Sequence, residues 1–145
     1  SDMSTTVLAD GRIMFSGGRG SSASQLASVD IFDPSTMTFM SSPPSMPIAR
    51  HSHGTVTFAD GTVMIFGGWT PRIPSGTGTY QTKAVSMFNP ITNTFSTGFG
   101  ETTSQRVEAP AVRLNNGTVL IVGDDGSSGS PTGSNAWTAE IYTFE

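Results

Sequence analysis

The chain has 145 residues, enough for one domain or for a part of a larger protein. Only 12% of residues are charged, the net charge is −4 and Lys83 is the one lysine, which excludes the clustered basic surface of a nucleic-acid binder. No apolar run approaches about 18 residues, so no membrane insertion is expected, and the absence of cysteine removes disulfides and thiol chemistry.

Seventeen Gly and nine Pro, without sustained helical periodicity, describe a turn-rich all-β chain. Residues 5–18 read TTVLADGRIMFSGG: an alternating strand a, a turn at Asp10-Gly11, an alternating strand b, and two glycines. A variable loop (Arg19 to Leu26) leads to strand c, ASVDIFDP (27–34), where Asp33-Pro34 starts a turn into strand d, Met37 to Met40. The pattern then repeats. After Arg50, His51, Ser52 and His53 come TVTFADGTVMIFGG (55–68), a loop from Trp69 to Thr82 holding Arg72 and Tyr80, AVSMFNP (84–90), and strand d at Asn93 to Thr97. A third copy follows Arg106, with AVRLNNGTVLIVGD (111–124), a loop from Asp125 to Thr138 holding Trp137, and AEIYTF (139–144). The dipeptides Asp10-Gly11, Asp60-Gly61 and Asn116-Gly117 are expected to form two-residue type I′ turns.

The turn glycines recur after 50 and then 56 residues, giving eleven expected strands in three units of about 4–42, 50–98 and 107–145. Periods near 50 with four strands each are those of propeller blades. The diglycines Gly17-Gly18 and Gly67-Gly68, the endings Phe32-Asp33-Pro34 and Phe88-Asn89-Pro90, and the d-strand aromatics Phe39 and Phe95 resemble kelch repeats. The third copy is degenerate, with Gly123-Asp124 and Tyr142-Thr143-Phe144. The resemblance implies a kelch-type β-propeller segment of three four-stranded antiparallel blades, the last lacking its outer strand. It also implies that Phe39 and Phe95 stand where kelch repeats place a tryptophan between blades. The diglycine is expected where backbones of neighbouring blades crowd together. Three blades fall short of a ring, so two outcomes are expected: a piece of a longer propeller, or two copies pairing into a six-bladed homodimer.

Strand direction puts the b–c loops and d–a connections on one face, where binding residues concentrate on rigid scaffolds. Arg50 and Arg106 occupy equivalent positions there; they suit a carboxylate or sulfate, or hydrogen bonds to loop carbonyls. His51 and His53 flank Ser52, and an extended segment would aim both rings to one side, as a Zn or Cu site needs; packing at the blade rim is the simpler reading. Trp69, Trp137 and Tyr80 offer ring faces to a sugar or a protein partner, or cover the core under their own loops, with Arg72 beside them. The run Asp124 to Ser130 lacks the oxygen spacing of a calcium loop, and Glu101, Glu108 and Glu140 are scattered, with no paired-carboxylate arrangement.

The segment MPIARHSHGTVTFADGTVMIFGGW also resembles the catalytic propeller of galactose-oxidase-like copper radical oxidases. That resemblance implies a copper-ligating Tyr two residues after Arg50, a Cys crosslinked to it, and a Trp after the diglycine. Trp69 matches, but Ser52 stands at the Tyr position and the chain has no Cys. The expectation is therefore a non-catalytic module with no cofactor, binding a protein or carbohydrate through the b–c loop face. The rivals are a fragment of such an oxidase and a purely structural repeat of a large surface protein. The sequon Asn116-Gly117-Thr118 and the low Lys content lean towards an extracellular or cell-surface location, with a cytoplasmic one left open.

Overall fold

The computed structural model describes residues 1–21, 24–72, 78–123 and 138–143. Trp137 and the run from Asp124 to Ser130 lie outside these residues. The first antiparallel sheet contains β1 (Ser4–Val7), β2 (Ile13–Ser16), β3 (Val29–Asp33) and β4 (Thr38–Phe39), in that order. The second is built from β5 (Gly54–Thr57), β6 (Val63–Phe66), β9 (Val85–Asn89) and β10 (Thr94–Ser96); β7 (Trp69–Pro71) and β8 (Thr79–Gln81) form a separate hairpin between β6 and β9. The third contains β11 (Ala111–Arg113), β12 (Val119–Val122) and β13 (Ala139–Tyr142). The described residues thus hold the eleven expected strands and two more, because the Trp69 to Thr82 loop pairs with itself, Trp69 opposite Gln81.

The hairpin turns differ from the type I′ expectation. Gly11, Gly61 and Gly117 have φ between 87° and 89°, but Asp10, Asp60 and Asn116 are not in the left-handed region. In each hairpin the glycine N–H donates to the carbonyl three residues earlier, as Gly11 does to Leu8 at 2.9 Å, Gly61 to Phe58 at 3.0 Å and Gly117 to Leu114 at 3.0 Å. This is a type I turn closed by a left-handed glycine in a three-residue loop. The Asp or Asn does a different job from the one its φ freedom suggested. Its side-chain oxygen accepts from the backbone N–H two residues on: Asp10 from Arg12 at 3.0 Å, Asp60 from Thr62 at 2.9 Å, and Asn116 from Thr118 at 3.1 Å.

The alternation of β6 explains the core. Val63 and Ile65 pack towards the first sheet with Leu8, Met14 and Ile31; Met64 and Phe66 pack towards the third with Val119, Ile121 and Tyr142. All four β6 residues are buried, whereas β12 buries Val119 and Ile121 and leaves Val122 exposed. Each such apolar side chain contributes roughly 1.5–3 kcal/mol on burial. Phe95 packs against the core between the first two sheets, its ring 4.9 Å from Phe88. Its equivalent Phe39 departs from the inter-blade role expected of it: it is 61% exposed and its ring contacts are Phe32 and Phe15 of its own sheet. Phe39 lies on the side of the first sheet turned away from the second.

The diglycines lock one sheet to the next. Gly18 N–H donates to the Arg50 carbonyl at 2.9 Å, and Gly68 N–H donates to the Arg106 carbonyl at 2.7 Å. A Cβ on Gly17 would fall 2.2 Å from the Arg50 oxygen, and one on Gly67 would fall 2.1 Å from that of Arg106. Both glycines also have positive φ, 66° and 67°. A side chain is therefore excluded twice, by space and by backbone conformation.

Candidate functional site

Arg50 and Arg106 form the same element twice. Each lies just before its sheet's first strand, where its carbonyl engages the preceding diglycine while its side chain turns under its own sheet's b–c connection. Arg50 Nη1 donates to the carbonyls of Gly67 and Ala84, both at 3.0 Å. Arg106 Nη1 donates to Gly123 O at 2.8 Å, Thr138 O at 3.3 Å and Thr138 Oγ1 at 2.8 Å. Each residue is only 1% exposed, so neither guanidinium stands free on the loop face. Arg106 Nε also pairs with Glu140 Oε1 at 3.0 Å, and the other Glu140 oxygen accepts from Thr103 N at 2.6 Å and from its hydroxyl. Burial lowers the Arg50 pKa to about 10, which leaves it cationic at neutral pH.

The two histidines part company at Ser52, whose φ of 53° breaks the extended segment that would have aimed both rings one way. His53 is buried, its Nε2 2.9 Å from Ser16 Oγ of the first sheet. Burial, with the Arg50 charge second, pushes its pKa down to about 3. His51 lies at the loop face, where its backbone pairs with Trp69 in both directions, at 2.9 and 3.1 Å. Its Nδ1 is 3.3 Å from Ser52 Oγ, and burial followed by the Arg19 charge lowers its pKa.

A cleft of about 580 Å³ opens where the first two b–c connections meet. It is lined by Arg19, Ser24 and Gln25 on one side and His51, Trp69 and Thr79 on the other. The pairing of β7 with β8 fixes Trp69 at its wall and leaves Tyr80 43% exposed beside it. Arg72, also exposed, closes the tip through its N–H to Gly78 O at 3.2 Å. A cation, an indole and several hydroxyl and amide groups together suit a polar ligand with a ring or apolar face. Asn116 is exposed at an a–b turn, away from this cleft, with its Oδ1 engaged by Thr118.

Two features went unnoticed in the sequence. The Arg106–Glu140 pair joins residues far apart in the chain, although aligning the repeats puts Glu140 at the place of Ser86 and would have singled it out. An apolar cleft of about 530 Å³ lies at the a–b turn side, between Phe58, Met87 and Phe99, with Asp60 and Arg113 at its edge. Its walls come from two sheets, and no local pattern announces it.

No family model matches the chain, and no curated protein matches it. Among solved structures it is similar to that of YjhT, with 16% sequence identity and a TM-score of 0.67 over 85% of this chain and 34% of YjhT. The likeness, together with successive antiparallel sheets packed face to face, gives an all-β fold of the β-propeller type. The chain spans about a third of the length of YjhT.

Proposed function

We propose that the chain is a kelch propeller segment of three blades that acts as a non-catalytic interaction module, binding a glycan or a protein on its b–c loop face outside the cell or at its surface. One observation carries this reading: the cleft at the meeting of two b–c connections, with Trp69 held in its wall beside His51 and opposite Arg19. Long connections on a stiff sheet scaffold suit recognition, and indole faces suit sugar rings and protein anchors alike. The galactose-oxidase-like alternative finds less support, since Ser52, at the expected copper-ligand position, donates its hydroxyl to Glu108 at 3.1 Å.

A glycan and surface-protein array probed with the chain tests the proposal. Trp69→Ala is expected to reduce binding at least tenfold with little change in unfolding midpoint, and Trp69→Phe to retain part of it. Undiminished binding by Trp69→Ala would sink the aromatic anchor. Two copies closing a six-bladed ring is the companion proposal. Exposed Val112, Val122 and Ile141 on the third sheet and Phe39 and Val7 on the first support it as apolar flanks. Light scattering giving twice 15.1 kDa is the expected result, and a monomer at all concentrations removes it.

A further inference from the structure

The second and third sheets hold the same buried arginine, but not the same partner for it. Ser86 pairs with Ile65 in β6, and Glu140 pairs with Ile121 in β12. Each isoleucine stands two residues before its sheet's glycine, Gly67 or Gly123. Ser86 therefore occupies the position that Glu140 occupies one sheet later. In the third sheet the Glu140 carboxylate meets Arg106 Nε at 3.0 Å with both groups buried. In the second, Arg50 Nε and Nη2 and Ser86 Oγ are all buried without a hydrogen-bond partner among the described residues. Ser86 is 2% exposed and Arg50 1%.

We propose that Arg50 and Ser86 form a binding site for a small carboxylate, which takes the place beside Arg50 that the Glu140 carboxylate takes beside Arg106. Three physical points support this ligand class. A buried guanidinium with two unsatisfied donors is costly, and one negative charge at its edge offsets both the charge and the donors. The fork of Nε and Nη2 matches the planar, two-oxygen geometry of a carboxylate, and Ser86 Oγ adds a further donor. Serine Oγ takes the place of glutamate Cγ, so the space difference is that of one carboxyl group, which points to the smallest carboxylates. A tetrahedral dianion fits less well, because one arginine leaves part of its charge uncompensated. The site is independent of whatever macromolecule the loop face binds.

The test is a titration of the whole chain with sodium acetate against sodium chloride at equal ionic strength, following the arginine Nε–H resonances by ¹⁵N NMR together with the unfolding midpoint. In the wild type, one buried-arginine resonance is expected to shift saturably, with half-saturation on the order of 1–10 mM, and the midpoint to rise over the chloride control. Ser86→Glu supplies the carboxylate from within: its resonance is expected at the saturated position without acetate, and its response to acetate is lost. Ser86→Ala is expected to keep the response, weakened a few-fold. A wild-type resonance that does not move with acetate overturns the proposal, whether or not Ser86→Glu folds. So does a Ser86→Glu protein that titrates like the wild type. Sulfate moving the same resonance at lower concentration than acetate overturns the carboxylate assignment.

Discussion

The joint between the first and second sheets and the joint between the second and third share one backbone device and several apolar side chains, and differ in their polar ones. In both, a diglycine N–H takes the carbonyl of the following arginine. At the first joint, buried His53 meets Ser16, and Thr6 Oγ1 bonds Thr55 Oγ1 at 2.8 Å. At the second, Ala109 and Phe66 stand at the places of His53 and Ser16, inside an apolar cluster. Its polar reinforcement comes instead from Arg106 and Glu140, under the third sheet's b–c connection. The difference teaches that the geometry of stacking is fixed by glycine and backbone, while the chemistry filling each joint is free to vary. The first joint is thereby made sensitive to pH and the second depends on an ion pair.

The largest break in this comparison is expected from the shared element. Gly67→Ala places a Cβ 2.1 Å from a backbone oxygen at a φ of 67°, so a loss of about 3 kcal/mol or more is expected in urea unfolding. Gly117→Ala, with nothing within 4 Å of its Cβ and a φ of 88°, is expected to lose only about 1 kcal/mol. Equal losses would show that backbone strain alone, and not the joint, sets the requirement.

Next comes the ion pair. Glu140→Gln removes the charge from a bond to Arg106 and is expected to lower stability by about 2 kcal/mol. Ser86→Ala, at the same place one sheet earlier, deletes a buried hydroxyl that has no hydrogen-bond partner among the described residues, and is expected to change stability by less than about 0.5 kcal/mol without added carboxylate. Similar losses in both would remove the distinction between the two arginine sockets.

The pH response sharpens the first joint. The folded His53 pKa lies near 3, below the unfolded value of 6.5, so below 6.5 the unfolded chain binds the extra proton. Stability is therefore full above pH 6.5 and is expected to fall by about 1.4 kcal/mol per pH unit below it, until pH approaches 3. His51, also lowered, adds to the same slope. Asp10, Asp33 and Asp60 have depressed values from their turn hydrogen bonds, so their contributions are lost only as pH falls below about 3.8. Unfolding at pH 6.5, 5.5 and 4.5 isolates the histidines, and His53→Gln is expected to flatten most of the slope. A slope unchanged in that variant would move the effect elsewhere. A smaller change at the same joint is expected from Thr6→Val, about 1 kcal/mol for one hydroxyl bond between the first two sheets, measured by the same unfolding.

Local signals made the three repeats legible: alternation, turn dipeptides and paired glycines are all short-range patterns, and the strands fall where those patterns put them. The turn type was misjudged because Asp10, Asp60 and Asn116 act through side-chain oxygens rather than through unusual φ. The β7–β8 hairpin escaped notice because Pro71 argues against a strand, yet it sits at the end of a two-stranded ribbon. At the candidate site, Trp69 was legible as the residue after the diglycine and His51 as a candidate beside Ser52, but their meeting, through their backbones, was not. Hydrogen bonds from Arg50 and Arg106 to loop carbonyls were among the expectations, but which groups they reach was not legible, since these lie 17 to 34 residues away. Only the fold brings Glu140 to one of them and places Ser86 at the equivalent register position in the other's sheet.

The diglycine lock also gives assembly a direction in time. Gly18 closes on Arg50, and Gly68 on Arg106, so the inner corner of each of the first two sheets is completed by chain that is synthesised after it. On a ribosome the first sheet emerges with its lock still open and gains it only when the start of the second has cleared the exit. Growth of the stack then proceeds from the N-terminal end by one latch at a time, each new unit stabilising the one before it.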